Sequence, residues 1–204
     1  MKKITLSILA ICLLAGYGMG GNEKTITNLK AAYKGESTAS AKYAAYAEQA
    51  RKEGLVPIAI MFTATSKSEA IHASNHKGVL ERLGQKVDVV KPEFAVKTTK
   101  ENLEDAAKGE SYEINTMYPG FLATAKEEDV TDGAKSMRWA LNTEKNHLIF
   151  YNKALEALKA GKAGTLSKLY WVCPKCGNTF DVAKPGKECP LCGTASSKYI
   201  KFDK

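Results

Sequence analysis

Histidine is scarce in this chain, with three in 204 residues, so chemistry that needs several imidazoles has almost no spares. Also missing is a basic stripe with interleaved aromatics. The net charge of +8 comes from scattered lysines, which argues against a nucleic-acid footprint and for a solvated surface that suits acidic redox partners. A hydrophobic run long enough to span a bilayer is lacking too: the stretch from Ile4 to Ala15 has twelve residues, where about 20 are needed. What is present fits a soluble globular protein, 25% charged and 44% hydrophobic. The length allows one moderate domain and a small appendage.

The N-terminus stands apart. Lys2 and Lys3 precede the apolar run, and Gly16-Tyr17-Gly18-Met19-Gly20-Gly21 follows it. That is the charged, hydrophobic and small-residue order of a secretory signal peptide, expected to occupy residues 1–21. Cys12 lacks the small residue before it that a lipidated cysteine requires. The expected destination is outside the cytoplasm, in the periplasm, with no stable membrane insertion after cleavage. A chain anchored by its N-terminus, or a cytoplasmic one, is the alternative.

Two of the three histidines sit in one repeated pattern, Glu69-x-x-His72 and Glu144-x-x-His147. Each is preceded by a glutamate in a Gly-Glu-Ser triplet, Gly35-Glu36-Ser37 and Gly109-Glu110-Ser111, at nearly equal separation. On a helix, residues i and i+3 share a face, so each pair can aim a carboxylate and an imidazole at one point. Four carboxylates and two imidazoles are the ligand set of di-iron and di-manganese four-helix bundles.

Helical periodicity carries these residues. Leu29, Ala32, Tyr33, Glu36, Ala39, Tyr43 and Ala47 recur at three- and four-residue steps in a first helix over 22–54. Glu36 thus lies among apolar neighbours, where an unpaired carboxylate is costly and a metal ion removes the cost. A second helix starts at Pro57 and runs to about Gly84 with Ile60, Met61, Ala64, Glu69, His72 and Leu80. His76 is read as a residue behind the site or on the surface, because the duplicate half has no counterpart. Residues 85–98 read as an extended crossover, needed where the second and third helices run parallel. The third helix spans about 99–128 with a kink at Tyr118-Pro119-Gly120. The fourth spans about 131–160 and ends at Gly161, giving a bundle domain over 22–161.

A linker over 162–168 leads to a tail over 169–204. Cys173-Pro-Lys-Cys176 and Cys189-Pro-Leu-Cys192 form two Cys-x-x-Cys knuckles. Four thiolates so placed suit one tetrahedral ion better than disulfides, although an exported protein permits disulfides. A tail this small also needs such a staple. The spacing leaves iron and zinc both open.

The order of a Gly-Glu-Ser helix, Glu69-Ala-Ile-His72, Gly109-Glu110-Ser-Tyr-Glu113, Met117-Tyr118-Pro119, Glu144-Lys-Asn-His147 and the terminal knuckles resembles the rubrerythrin family. The resemblance covers nearly everything after the signal segment. It implies an all-α ferritin-like four-helix bundle holding two non-haem iron ions, fused to a rubredoxin-like domain holding one iron, with zinc the alternative. The implied bundle ligands are Glu36, Glu69, His72, Glu110, Glu113, Glu144 and His147, with Tyr43 and Tyr118 close by. Glu113 is implied to bind iron in the oxidised state and to yield to a histidine on reduction. One departure is Asn178, where rubredoxin-like domains often place an aromatic directly after the knuckle glycine.

The implied activity is a peroxidase that reduces hydrogen peroxide to water in oxidative-stress defence. Electrons would be relayed through Cys173, Cys176, Cys189 and Cys192 from an external reductase or rubredoxin. A ferroxidase or iron-handling protein is the alternative, and a scaffold with a structural zinc ribbon is a third class. His147 lies about 20 Å before the end of the fourth helix, and the six residues Lys162–Ser167 reach no more than about 21 Å. The tail must therefore fold back onto its own bundle or serve a neighbour's, and the resemblance implies the neighbour, in a head-to-tail homodimer. For the N-terminus, mass spectrometry of the protein from its native host is expected to show a chain beginning near Gly21; an intact Met1 on a cytoplasmic species would overturn the export reading.

Overall fold

The computed structural model describes residues 21–204, so the expected signal segment, apart from Gly21, lies outside the described residues. Helix α1 (Glu23–Lys52) and α2 (Val56–Arg82) form one hairpin. Helix α3 (Thr99–Tyr112), a π-helical turn (Glu113–Met117), α4 (Tyr118–Glu127) and α5 (Thr131–Lys159) form the other. The expected bundle and its long crossover are both present. No helix among the described residues is long and apolar enough to cross a membrane.

The helix ends explain the turns. At the end of α1, the Leu55 amide donates to the Ala50 carbonyl and the Gly54 amide to Arg51, a Schellman closure that needs a left-handed residue, here Gly54 with φ +75°. The same closure ends α4, where Asp129 takes the left-handed conformation at φ 54°. Carboxylates from one helix end serve the start of another. Glu128 accepts from the amides of Thr25 (2.7 Å) and Lys24 (3.2 Å) at the start of α1, and Glu53 accepts from the Thr99 amide (3.0 Å) at the start of α3. Both place negative charge at a positive helix terminus. Because α3 begins against the end of α1, it runs antiparallel to α1 and parallel to α2, the arrangement that demands the crossover.

The irregularity in the third helix lies one turn earlier than Tyr118-Pro119-Gly120. The π turn over Glu113–Met117 lets the Tyr118 amide donate to Glu113, five residues back. Pro119 then falls at the start of α4, where its missing N–H costs nothing. The correction is thus to the cause: the proline opens a new helical segment after an inserted residue rather than breaking a continuous one.

Residues Pro57 to Phe62 are all buried, which a helix facing solvent on one side cannot achieve. The tail supplies the extra cover. Its three-stranded antiparallel sheet has the order β2-β1-β3, with β1 Tyr170–Val172, β2 Thr179–Phe180 and β3 Ile200–Phe202. Tyr170 and Val172 of β1 join the bundle core beside Ile58, Ala59, Phe62, Phe150 and Tyr151. The expected linker contains a one-turn 3-10 helix, Ala163–Thr165, with Ala163 buried in the same core. The tail folds back along α2 and α5 of its own chain, one of the two seatings that the linker length allows.

Candidate metal centre

Four helices each deliver part of the cluster: Glu36 from α1, Glu69 and His72 from α2, Glu110 from α3, and Glu144 and His147 from α5. All six side chains are buried. Their donor atoms form two groups, Glu36, Glu69, His72 and Glu144, and Glu69, Glu110, Glu144 and His147, each within 4.8 Å of one another. Glu69 and Glu144 belong to both. His72 Nδ1 lies 2.9 Å from Glu69 Oε2 and 2.8 Å from Glu144 Oε1. His147 Nδ1 lies 2.9 Å from Glu69 Oε1 and 2.7 Å from Glu144 Oε2. Each of these two carboxylates thus offers one oxygen to each side, as a bridging ligand does. Glu36 closes the His72 side at 3.7 Å and Glu110 the His147 side at 3.9 Å.

The tyrosines follow the same two-fold logic. Tyr43 donates to Glu110 Oε1 at 2.8 Å, and Tyr118 donates to Glu36 Oε1. Tyr43 follows Glu36 by seven residues, two α-turns, whereas Tyr118 follows Glu110 by eight. The π turn absorbs the additional residue and returns Tyr118 to the inward face. Glu113, which opens that turn, belongs to neither tight group and is only partly buried.

Electrostatics show how badly the cluster needs a cation. Burial, reinforced by Glu113, Glu144 and Glu69, pushes the Glu36 carboxyl well up. Burial and then Glu144 and Glu69 do the same to Glu110 and Glu113. At His72 and His147 burial alone would lower the pKa, but the carboxylates outweigh it and hold both rings above the usual value. At Glu144 burial is in turn outweighed by the two imidazoles, which hold its carboxyl low. Even so, both oxygens of Glu144 and Oε1 of Glu69 are buried without a directed hydrogen bond. Orphaned carboxylate oxygens at the centre of six converging donors fit a pair of metal ions, and hard carboxylates with imidazoles suit iron.

The tail holds the second cluster. Cys173 and Cys192 sulfurs stand 3.5 Å apart, as do those of Cys176 and Cys189. Four sulfurs about 2.3 Å from one tetrahedral ion would stand about 3.8 Å apart. The knuckles are built alike: the Gly177 amide donates to the Cys173 carbonyl and the Gly193 amide to Cys189. Bonding from the Cys176 thiol, with the Lys175 and Cys176 amides, draws the Cys173 pKa down to about 4.

The two clusters touch. Ser68 donates to the Gly177 carbonyl at 2.7 Å, and a Cβ on Gly177 would fall 2.3 Å from His72 Nε2. Only glycine fits there, doubly so with φ +83°. His147 Nε2 lies 3.2 Å from Thr179 Oγ1, whose own proton goes to the Gly177 carbonyl at 2.9 Å. The hydroxyl therefore accepts from His147, which leaves Nδ1 bare for a metal. Asn178 accepts from Asn146 of α5 at 3.0 Å and points its amide at Cys189 Sγ, 3.8 Å away. The position that departs from the aromatic pattern thus ties the thiolates to the bundle. Ser68, Asn146, Gly177 and Thr179 escaped the sequence reading, since contacts between separated segments leave no period or spacing.

The rubrerythrin family model matches residues 27–155. Rubrerythrin-2 of Clostridium acetobutylicum is 34% identical over 182 residues, covering 89% of this chain and 98% of that protein. A solved nigerythrin in its fully reduced, all-ferrous state superposes with a TM-score of 0.77 at 30% identity, covering 87% of this chain and 86% of that one. An open-pore ferritin from Archaeoglobus fulgidus, at 15% identity and a TM-score of 0.59, covers 70% of this chain and 88% of that one and shares the fold. With its duplicated ligand frame, its π turn and its four-cysteine tail, the chain belongs to the rubrerythrin family.

Proposed function

We propose that the protein is a di-iron peroxidase that reduces hydrogen peroxide to water, with electrons passing from an external donor through the cysteine tail. The observation that carries the reading is the contact between clusters: the outer nitrogens of His72 and His147 both meet the knuckle that follows Cys176. A bundle that only stored or oxidised iron has no need of such a contact. When bound, two ferrous ions in the bundle supply the electron pair that cleaves the O–O bond, and an iron among the four thiolates restores it one electron at a time.

The chain's own residues do the rest. Glu36, Glu69, Glu110, Glu144, His72 and His147 would hold the metals, Glu69 and Glu144 belonging to both groups of donors. Glu113 lies one turn beyond Glu110, beside the His72 side, and we assign it the role of exchanging with His72 as the oxidation state changes. Burial and neighbouring carboxylates push the Tyr43 and Tyr118 phenols well up, so both stay protonated and donate to Glu110 and Glu36. Ser68 and Thr179 hold the knuckle against the histidines. The relay is drawn within one chain; a head-to-tail homodimer that exchanged tails would make the same contacts between two. Export, with acidic donor proteins drawn to the lysine-rich surface, completes the proposal.

Metal removal has a signed consequence. Glu36, Glu110 and Glu113 have folded pKa values above their unfolded ones, so the metal-free fold loses stability as pH rises through those folded values. The raised His72 and His147 act in the same direction, giving stability below their unfolded pKa that is lost as pH rises through the folded one. The lowered Glu144 works oppositely, but only in strong acid. Thermal melts of metal-loaded and chelated protein should therefore diverge between about pH 5 and about pH 9, the loaded form gaining over the chelated one. Parallel curves would contradict the cluster's role as a metal site.

Replacing Cys176 with Ser is expected to abolish steady-state peroxide turnover while a single oxidation of the pre-reduced bundle centre survives. Unimpaired turnover in Cys176→Ser, or zinc in the native tail, would leave the tail a structural cap.

A further inference from the structure

His76 is the histidine that the metal centre leaves over. It is fully buried on α2, one turn past His72, and both ring nitrogens are engaged. Nδ1 lies 2.9 Å from Ser136 Oγ of α5, and Nε2 lies 3.1 Å from the Tyr118 hydroxyl of α4. Tyr118 in turn bonds Glu36.

Proton counting fixes the direction of these bonds. Tyr118 has one hydroxyl hydrogen, and a Glu36 carboxylate held to a metal only accepts, so that hydrogen points at Glu36. The Tyr118 oxygen must then accept from His76, which places the ring hydrogen on Nε2. Burial, the largest cause, draws the ring's pKa down to about 3 and keeps it neutral. A neutral ring with Nε2–H has a bare Nδ1, and Ser136 donates to it. Every donor in the chain Ser136, His76, Tyr118, Glu36 thus points inward.

The outer end lies just beneath the surface, with Ser136 4% exposed. Ser136 lies in the wall of a surface cleft of about 320 Å³ between α2, α5 and the first knuckle, lined also by Arg82, Asp132, Lys135, Trp139 and Lys175. The other half of the centre has no such chain. Tyr151, four residues past His147 as His76 is past His72, occupies the matching place, and its hydroxyl has Thr65 beside it and no bond toward a metal-site glutamate. The asymmetry singles out the Glu36 side.

We propose that Ser136, His76 and Tyr118 form an oriented relay that carries protons from this cleft to Glu36. The inference rests on the peroxidase reading, because reducing one hydrogen peroxide to two waters takes up two protons with the two electrons. In each transfer a solvent acid in the cleft gives a proton to the Ser136 oxygen. Ser136 passes its own to Nδ1, Nε2 passes one to Tyr118, and Tyr118 passes one to Glu36; one proton enters, one arrives, and the ring ends as the Nδ1–H tautomer, so a reorientation of the ring separates one transfer from the next. Ser136 touches no candidate metal ligand and acts through His76, so it is a positioning residue.

Two measurements test this. In the zinc-loaded protein, which is diamagnetic and redox-silent, nitrogen-15 NMR of the His76 ring should show a neutral Nε2–H tautomer; an Nδ1–H tautomer or an imidazolium would overturn the relay. In the iron-loaded protein, Ser136→Ala should slow peroxide consumption about tenfold or more, short of the roughly 10²–10⁴-fold of a direct proton donor. The solvent deuterium isotope effect should rise, and Ser136→Thr should restore both. A wild-type rate and isotope effect in Ser136→Ala overturns the relay, as does metal loss in that variant that Thr fails to restore. Absence of peroxide turnover in the unmodified protein would instead defeat the peroxidase reading and leave the tautomer result standing on its own.

Discussion

The structure depends on the burial of Glu69 and Glu144 at the bundle axis. Two carboxylates so close, each fully buried, repel one another and lack water, a combination that ordinarily protonates or unfolds a site. Here each presents its two oxygens to two different imidazoles, and each half of the bundle adds a further glutamate. Without a cation, the histidines hold protons to play that part, and three glutamates sit above their usual range. With two cations, the same six side chains would serve as their ligands.

That demand reaches beyond the ligands. Glu36 and Glu110 must be held inward, and each is anchored by a tyrosine from another helix. Keeping Tyr118 in register with Tyr43 requires the additional residue of the π turn, which in turn places Pro119 at a helical start. The far nitrogens of the histidines face outward between α2 and α5, where an unpaired imidazole N–H would be left dry. The tail fills that groove. Its glycine knuckle packs against His72, where a Cβ on Gly177 would fall 2.3 Å from Nε2, and Thr179 takes the His147 hydrogen. The carboxylate–histidine cluster, the cysteine knuckle and the core packing therefore form one continuous surface.

Much of this was legible in the sequence, and the reasons are specific. The Glu-x-x-His pairs and their Gly-Glu-Ser partners were visible because helical spacing is local and the frame is duplicated. The two knuckles were visible because four thiolates on one ion demand close spacing. Gly54 and Gly161 marked helix ends because only a left-handed residue closes them cheaply; Asp129 does the same work and gave no such signal. The π turn was hidden, since Pro119 drew attention to itself rather than to Glu113 before it. His76 read as an unmatched residue because its partners, Ser136 and Tyr118, are 60 and 42 residues away. The seating of the tail was equally hidden, as linker length allowed two bundles and no local pattern names Ser68 or Thr179 as its contacts.

The central claim is that iron occupies both clusters and that they communicate across Gly177. Anomalous diffraction at the iron edge, on crystals of protein purified with its native metals, tests it most directly. The account predicts two iron peaks flanking Glu69 and Glu144, about 3.5–4 Å apart, and one among Cys173, Cys176, Cys189 and Cys192. A single ion in the bundle, or zinc in place of iron at the cysteines, would contradict it.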